Sequence, residues 1–179
     1  RCEYLNGLNL RSLHYASSNG TNFTVGLIPE AQFLAGSEKT LGAGVEFNPN
    51  IPSEEVFTSP MKGKAEGIVY STRPLSYRGV MIENFSIRFE NGKVVEVHAE
   101  KNEEALKTMV GECALVPCDS PIRNSGIMFY NTLFDENAAC HLALGEGFTN
   151  CIKDYEKYTL EQCREMGINS SMIHEDFMI

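Results

Sequence analysis

The sequence predicts an α+β fold: a mixed, largely antiparallel β-sheet with β-hairpins and a few flanking helices. Three observations carry this. Segments of alternating apolar and polar residues are joined at two Asn-Gly pairs, Asn19-Gly20 and Asn91-Gly92, which supply the positive φ that tight hairpins need. Helical segments are few and short. Hydrophobic residues make up 42% of the 179 positions, enough for a packed core in one domain.

The elements follow in order. Asn9–Tyr15 alternates loosely, Ser17–Gly20 turns, and Asn22–Leu27 returns as a strand. A glycine-rich loop around Gly36, Gly42 and Gly44 comes next; no lysine stands where a phosphate-binding loop would place one. The loop Asn48–Ser53 leads into Glu54–Thr58, and Gly67–Ser71 is β-like. Val80–Phe89 and Lys93–His98 form the clearest hairpin. Asn102–Met109 reads as a short helix, Cys113–Val116 and Gly126–Tyr130 as short strands, and Asn137–Leu144 as a helix. Thr159 and Gln162 have capping-box spacing and Gly167 is a terminator, so Leu160–Met166 is a helix. Ser171–Ile179 returns to strand.

Composition narrows the function classes. A formal net charge of −9 argues against a nucleic-acid partner and against an anionic membrane surface. No apolar run reaches the length that spans a bilayer. Six scattered cysteines, none in a C-x-x-C pair, read as reduced thiols of a cytoplasmic protein. The chain opens on Arg1-Cys2 and closes on the strand-like Asp176–Ile179, so residues 1–179 are expected to be a single region truncated at both ends.

A few residues have the chemistry of a metal site. Side chains at i and i+2 of a strand share a face, so His174 and Asp176 point the same way, a pair suited to Zn, Co or Mn. The bland alternative is an ion pair at a strand end. Asp135, Glu136 and His141 fall within seven residues; the alternative there is a helix cap beside an ordinary helix histidine. Glu112 stands at the mouth of an apolar strand, where a carboxylate is costly unless something pairs with it. Glu54 and Glu55 are adjacent, so only one of them can enter a given site from a strand. No nucleophile elbow surrounds a serine.

Longer blocks then become specific together. Asn50–Pro60, Gly111–Pro117, Phe129–Ala138 and His174–Ile179, with Thr72–Leu75, Glu83–Phe85 and Cys118–Ile122, resemble the thermophilic metallo-aminopeptidase family (aminopeptidases T, S and PepS) over nearly the whole chain. The resemblance implies a peptidase that releases N-terminal residues from peptides using two divalent metal ions (Zn, Co or Mn), and a homodimer for the full-length protein. By motif, it implies that Glu55, Glu112, His141, His174 and Asp176 hold the metals, with Glu112 bridging. Glu54 or Glu136 would act as general base or orient a ligand. The second glutamate of the Glu54-Glu55 pair fits the family pattern. Phe148 stands seven residues after His141, where the family usually has a tyrosine near the metals, so a hydroxyl beside the substrate is missing. Glu175 stands where relatives favour an apolar residue. These departures motivate a second expectation, a metal-binding fold without turnover.

Overall fold

The computed structural model describes residues 1–40, 42–49, 54–77, 80–100 and 110–179. A helical turn, α1 (Cys2–Gly7), precedes the first hairpin, in which β1 (Ser12–Ala16) pairs antiparallel with β2 (Asn22–Leu27). Phe23, Val25 and Leu27 alternate with the exposed Asn22 and Thr24, so one face of β2 is buried and the other is wet. Two short strands, β3 (Glu38–Lys39) and β4 (Glu46–Phe47), pair with each other over the glycine-rich loop. Then come β5 (Val56–Thr58), β6 (Pro60–Tyr70), β7 (Leu75–Tyr77), β8 (Val80–Ile82), β9 (Ser86–Glu90), β10 (Lys93–His98) and β11 (Val110–Leu115). The last elements are α2 (Pro121–Ser125), α3 (Thr132–Asp135), β12 (His141–Gly145), α4 (Leu160–Met166) and β13 (His174–Met178).

These strands form two main antiparallel sheets. One has the order β1-β2-β6-β9-β10 and the other β13-β12-β11-β5. They share one core. Phe23, Val25, Val69, Ile87 and Phe89 come from the first, and Val56, Cys113, Leu142, Leu144 and Phe177 from the second. Phe23 packs on Phe89 at 5.2 Å between ring centroids, and Phe85 on Phe177 at 5.6 Å. A smaller cluster of Ile28, Ile152, Cys163 and Ile168 seats α4. That helix starts as predicted: Thr159 and Gln162 exchange both capping-box hydrogen bonds.

Three predicted elements differ. Val80–Phe89 is not one strand. It breaks at Asn84, which adopts φ +49°, so β8 folds back on β7 while β9 pairs with β10. Gly126–Tyr130 is not a strand, because its backbone is spoken for elsewhere. The Asp135 carboxylate accepts from the N–H of Phe129 at 2.9 Å and of Asn131 at 3.0 Å, and Tyr130 between them turns at φ +56°. Asn137–Leu144 is not a helix. Glu136–Ala138 is a single 3₁₀ turn, and His141–Gly145 is a strand inserted between β11 and β13, buried at every position. Pairing on both sides overrides the helical preference of Ala and Leu there. The predicted helix Asn102–Met109 lies outside the described residues.

Candidate metal centre

Register builds the site. Across the four-stranded sheet, Glu112 lies opposite Ala143 and Ala143 opposite Asp176; in the flanking rows Ala114 faces His141, and Gly145 faces His174. Alternation puts Glu112, His141, His174 and Asp176 on one face, while Cys113, Leu142, Leu144 and Phe177 point into the core from the other. The residues between the donors on that face are Ala114, Ala143 and Gly145, so the floor is low and leaves room above it. Gly145 has φ +113°, and a Cβ there would lie 2.0 Å from the Ile173 carbonyl oxygen. No L side chain fits that approach.

Glu55 enters just ahead of β5, on the same side as Phe57, which Leu34 pins through two backbone hydrogen bonds of 2.9 and 3.0 Å. Its neighbour Glu54 goes the other way. The Glu54 N–H donates to Asn137 Oδ1 at 2.8 Å, and Glu54 does not line the cavity. Glu136 arrives from the 3₁₀ turn before β12 and is buried. Three donor groups result, each with ligand atoms within 4.8 Å of one another: Glu55, Glu112 and His141; Glu112, His174 and Asp176; Glu136, His141 and Asp176. Asp135, next to Glu136, contributes to none of these groups and spends both its oxygens on the loop backbone.

The ring nitrogens are oriented from behind. His141 Nδ1 lies 3.3 Å from the Ala139 carbonyl oxygen, and His174 Nδ1 lies 2.8 Å from that of Glu146. A carbonyl only accepts, so each Nδ1 carries a proton and each Nε2 faces the carboxylates, the arrangement found behind metal-bound histidines. His141 Nε2 is 2.9 Å from Glu55 Oε2, and His174 Nε2 is 3.0 Å from Glu112 Oε2 and 3.6 Å from Asp176 Oδ1. Three of these buried atoms, Glu55 Oε2, His141 Nε2 and Asp176 Oδ1, have no geometrically ideal hydrogen bond among the described residues. The 2.9 Å between His141 Nε2 and Glu55 Oε2 is an ion-pair distance. Imidazole nitrogens and carboxylate oxygens that converge in a buried pocket fit a divalent cation, and such a mixed set suits Zn, Co or Mn.

Electrostatics bind protons where a cation would sit. Burial lowers the affinity of His141 for a proton, but Glu55, then Asp176 and Glu112, outweigh it and raise the ring to about 10. In His174 burial is likewise outweighed by Asp176 and Glu112, which raise it to about 11. Glu112 is pushed up, chiefly by burial and further by Asp176, with His174 opposing.

A cavity of about 250 Å³ opens over this face. Phe57, Leu133 and Phe148 form apolar walls, with Phe148 against His174 at 4.7 Å and against Phe57 at 5.4 Å between ring centroids. Ser59 holds the Phe148 loop, accepting from the Phe148 N–H at 2.7 Å.

The structure thus brings Glu55, Glu112, Glu136, His141, His174, Asp176 and Phe148 to one cavity and leaves Glu54 outside it. Sequence reading missed Asn137, Ala143 and the carbonyls of Ala139 and Glu146. Backbone acceptors leave no mark in residue identity, and Ala143 matters only through its register.

Comparison with known proteins adds the relatives. The family described as thermophilic metalloprotease (M29) matches residues 1–179. Aminopeptidase AmpS of Bacillus subtilis is 45% identical over all of this chain and 45% of its own length. The solved structure of wild-type AmpT from Thermus thermophilus superimposes with a TM-score of 0.88 at 41% identity, covering 99% of this chain and 45% of that one. A 2,5-dihydroxypyridine dioxygenase from Pseudomonas putida shares the fold alone, with a TM-score of 0.59 at 17% identity over 98% of this chain and 51% of that one. The chain spans just under half the length of the curated relatives it matches.

Proposed function

Because this chain belongs to the thermophilic metalloprotease family, we propose that it supplies the metal site of an aminopeptidase that releases N-terminal residues from peptides. The observation that carries this reading is the convergence of three groups of nitrogen and oxygen donors on one cavity. Glu55, Glu112, His141, His174 and Asp176 would hold two divalent ions, with Glu112 common to both. Ions bound there would polarise the scissile carbonyl and acidify a water.

The chain's own residues do the rest. Glu136, buried at the cavity wall, would take a proton from the attacking water and return it to the leaving amine, or orient a ligand beside His141 and Asp176. Phe57, Leu133 and Phe148 would give the substrate an apolar surface beside the reacting carbonyl. Peptides are the substrates in this reading, and the full-length protein is a cytoplasmic homodimer.

One observation favours a second reading. Phe148 places a ring, and no hydroxyl, over His174. A site that lacks such a donor for the tetrahedral intermediate binds metal yet turns over slowly or not at all.

Metal content, melting temperature before and after chelation, and hydrolysis of aminoacyl reporters test both. About two equivalents of metal with metal-dependent hydrolysis support the first reading; full loading without hydrolysis leaves the second. No bound metal and no thermal shift with any of the three ions would refute both.

A further inference from the structure

One more carboxylate lines the same cavity and belongs to none of the donor groups: Glu38. It sits on β3 opposite Phe47. Its Oε1 accepts a 2.9 Å hydrogen bond from Asn150 Nδ2. Asn150 lies two residues beyond Phe148, in the 3₁₀ turn Thr149–Cys151. Gln32 ties that turn down, donating from its backbone N–H to the Cys151 carbonyl at 2.7 Å and from Nε2 to the Asn150 carbonyl at 3.4 Å. The Glu38 carboxylate is therefore aimed by a neutral amide, which fixes its direction and leaves its charge.

A smaller cavity of about 70 Å³ adjoins the first. Glu38, Pro49, Glu55 and Phe57 line both, and the smaller one continues along Leu34–Ser37. Among the described residues lining the two cavities there is no lysine or arginine. An exposed anion held by a hydrogen bond at the rim of the cavity, beside apolar walls, favours a cation over a neutral or anionic group.

Resting on the aminopeptidase reading, we propose that Glu38, held by Asn150, receives a cationic nitrogen of the peptide substrate. An exopeptidase must tell a free N-terminus from an internal peptide bond, and the α-ammonium is the charge that differs. The same carboxylate also suits the side chain of a lysine or arginine lodged in the smaller cavity. Both sources offer the same chemistry, a charge-assisted N–H to carboxylate hydrogen bond.

The test compares full-length wild-type protein with Glu38→Gln, which keeps the shape and an oxygen for Asn150. Binding of three ligands is measured by titration calorimetry: leucinamide, lysinamide, and isocaproamide, which is leucinamide without its α-amine. If the α-ammonium is the group received, Glu38→Gln weakens leucinamide about tenfold, the worth of one charge-assisted hydrogen bond, and leaves isocaproamide unchanged. If a basic side chain is received, lysinamide weakens about tenfold relative to leucinamide. A wild type that shows no preference for the charged ligands over isocaproamide overturns the proposal, as does a variant whose three affinities all stay within about twofold of wild type. Metal-dependent hydrolysis of a leucyl reporter by wild type decides separately whether the aminopeptidase reading stands.

Discussion

Replacing Glu112 by glutamine keeps the size of the side chain and removes its charge from a buried position. Glu112 belongs to two of the three donor groups, with Glu55 and His141 on one side and with His174 and Asp176 on the other. Loss of its anionic oxygen therefore breaks both together. His174 belongs to one group only. A divalent ion present at about 100 times its dissociation constant stabilises the fold by about 2.7 kcal/mol. For a chain of this size that corresponds to a rise in Tm of about 5–10 °C. Glu112→Gln breaks two groups and leaves only Glu136, His141 and Asp176, whereas His174→Gln breaks one and leaves two, so the Glu112 variant is expected to lose more of this metal-dependent rise than the His174 variant. Scanning calorimetry with and without chelator, alongside metal per chain, measures both. A Glu112→Gln protein that keeps the full shift and the full metal content would refute the shared role of this residue. Equal losses in the two variants would refute the division of the donors into groups.

Three further outcomes are expected. His141 and His174 have folded-state pKa values raised to about 10 and about 11, above the ordinary histidine value. In the metal-free protein their stabilisation is complete below about pH 6.5 and is lost as pH rises through those values. Metal competes for the same nitrogens, so binding should release protons and tighten over this window, which titration calorimetry in buffers of different ionisation enthalpy will detect. Asp135→Ala removes the acceptor of the part-buried hydrogen bonds from the Phe129 and Asn131 N–H groups and should cost about 1–3 kcal/mol in urea unfolding, two bonds at about 0.5–1.5 kcal/mol each; an unchanged midpoint would show that the loop is held by other contacts. Phe148→Tyr, adding a hydroxyl over the site, should raise kcat by about 10²–10³ with little change in KM, read with an aminoacyl reporter; a kcat unchanged or lowered would remove the hydroxyl from the argument.

Much of the site was legible in the sequence, because some geometry is local. The i, i+2 rule placed His174 with Asp176, while the opposite facing of neighbours showed only that one of Glu54 and Glu55 could enter the site, and the family resemblance pointed to Glu55. The two Asn-Gly turns and the capping box of α4 were readable for the same reason: each needs only a few consecutive residues. Asp135 and Glu136 show the limit. They are adjacent acids of similar chemistry, yet one ties down a loop and the other lines the cavity. The backbone amides of Phe129 and Asn131 decided between them.

What the sequence by itself determined is short-range geometry: the two Asn-Gly turns, the capping box of α4 and the shared face of His174 and Asp176. Tertiary structure decided that His141 lies on a strand, that Ala143 separates Glu112 from Asp176, and that Glu38 looks into the same cavity. The reason is physical. Side-chain direction repeats with a short local period, whereas sheet register is set by pairing between segments far apart in the chain, and one residue of slip would turn every donor on a strand to the opposite face.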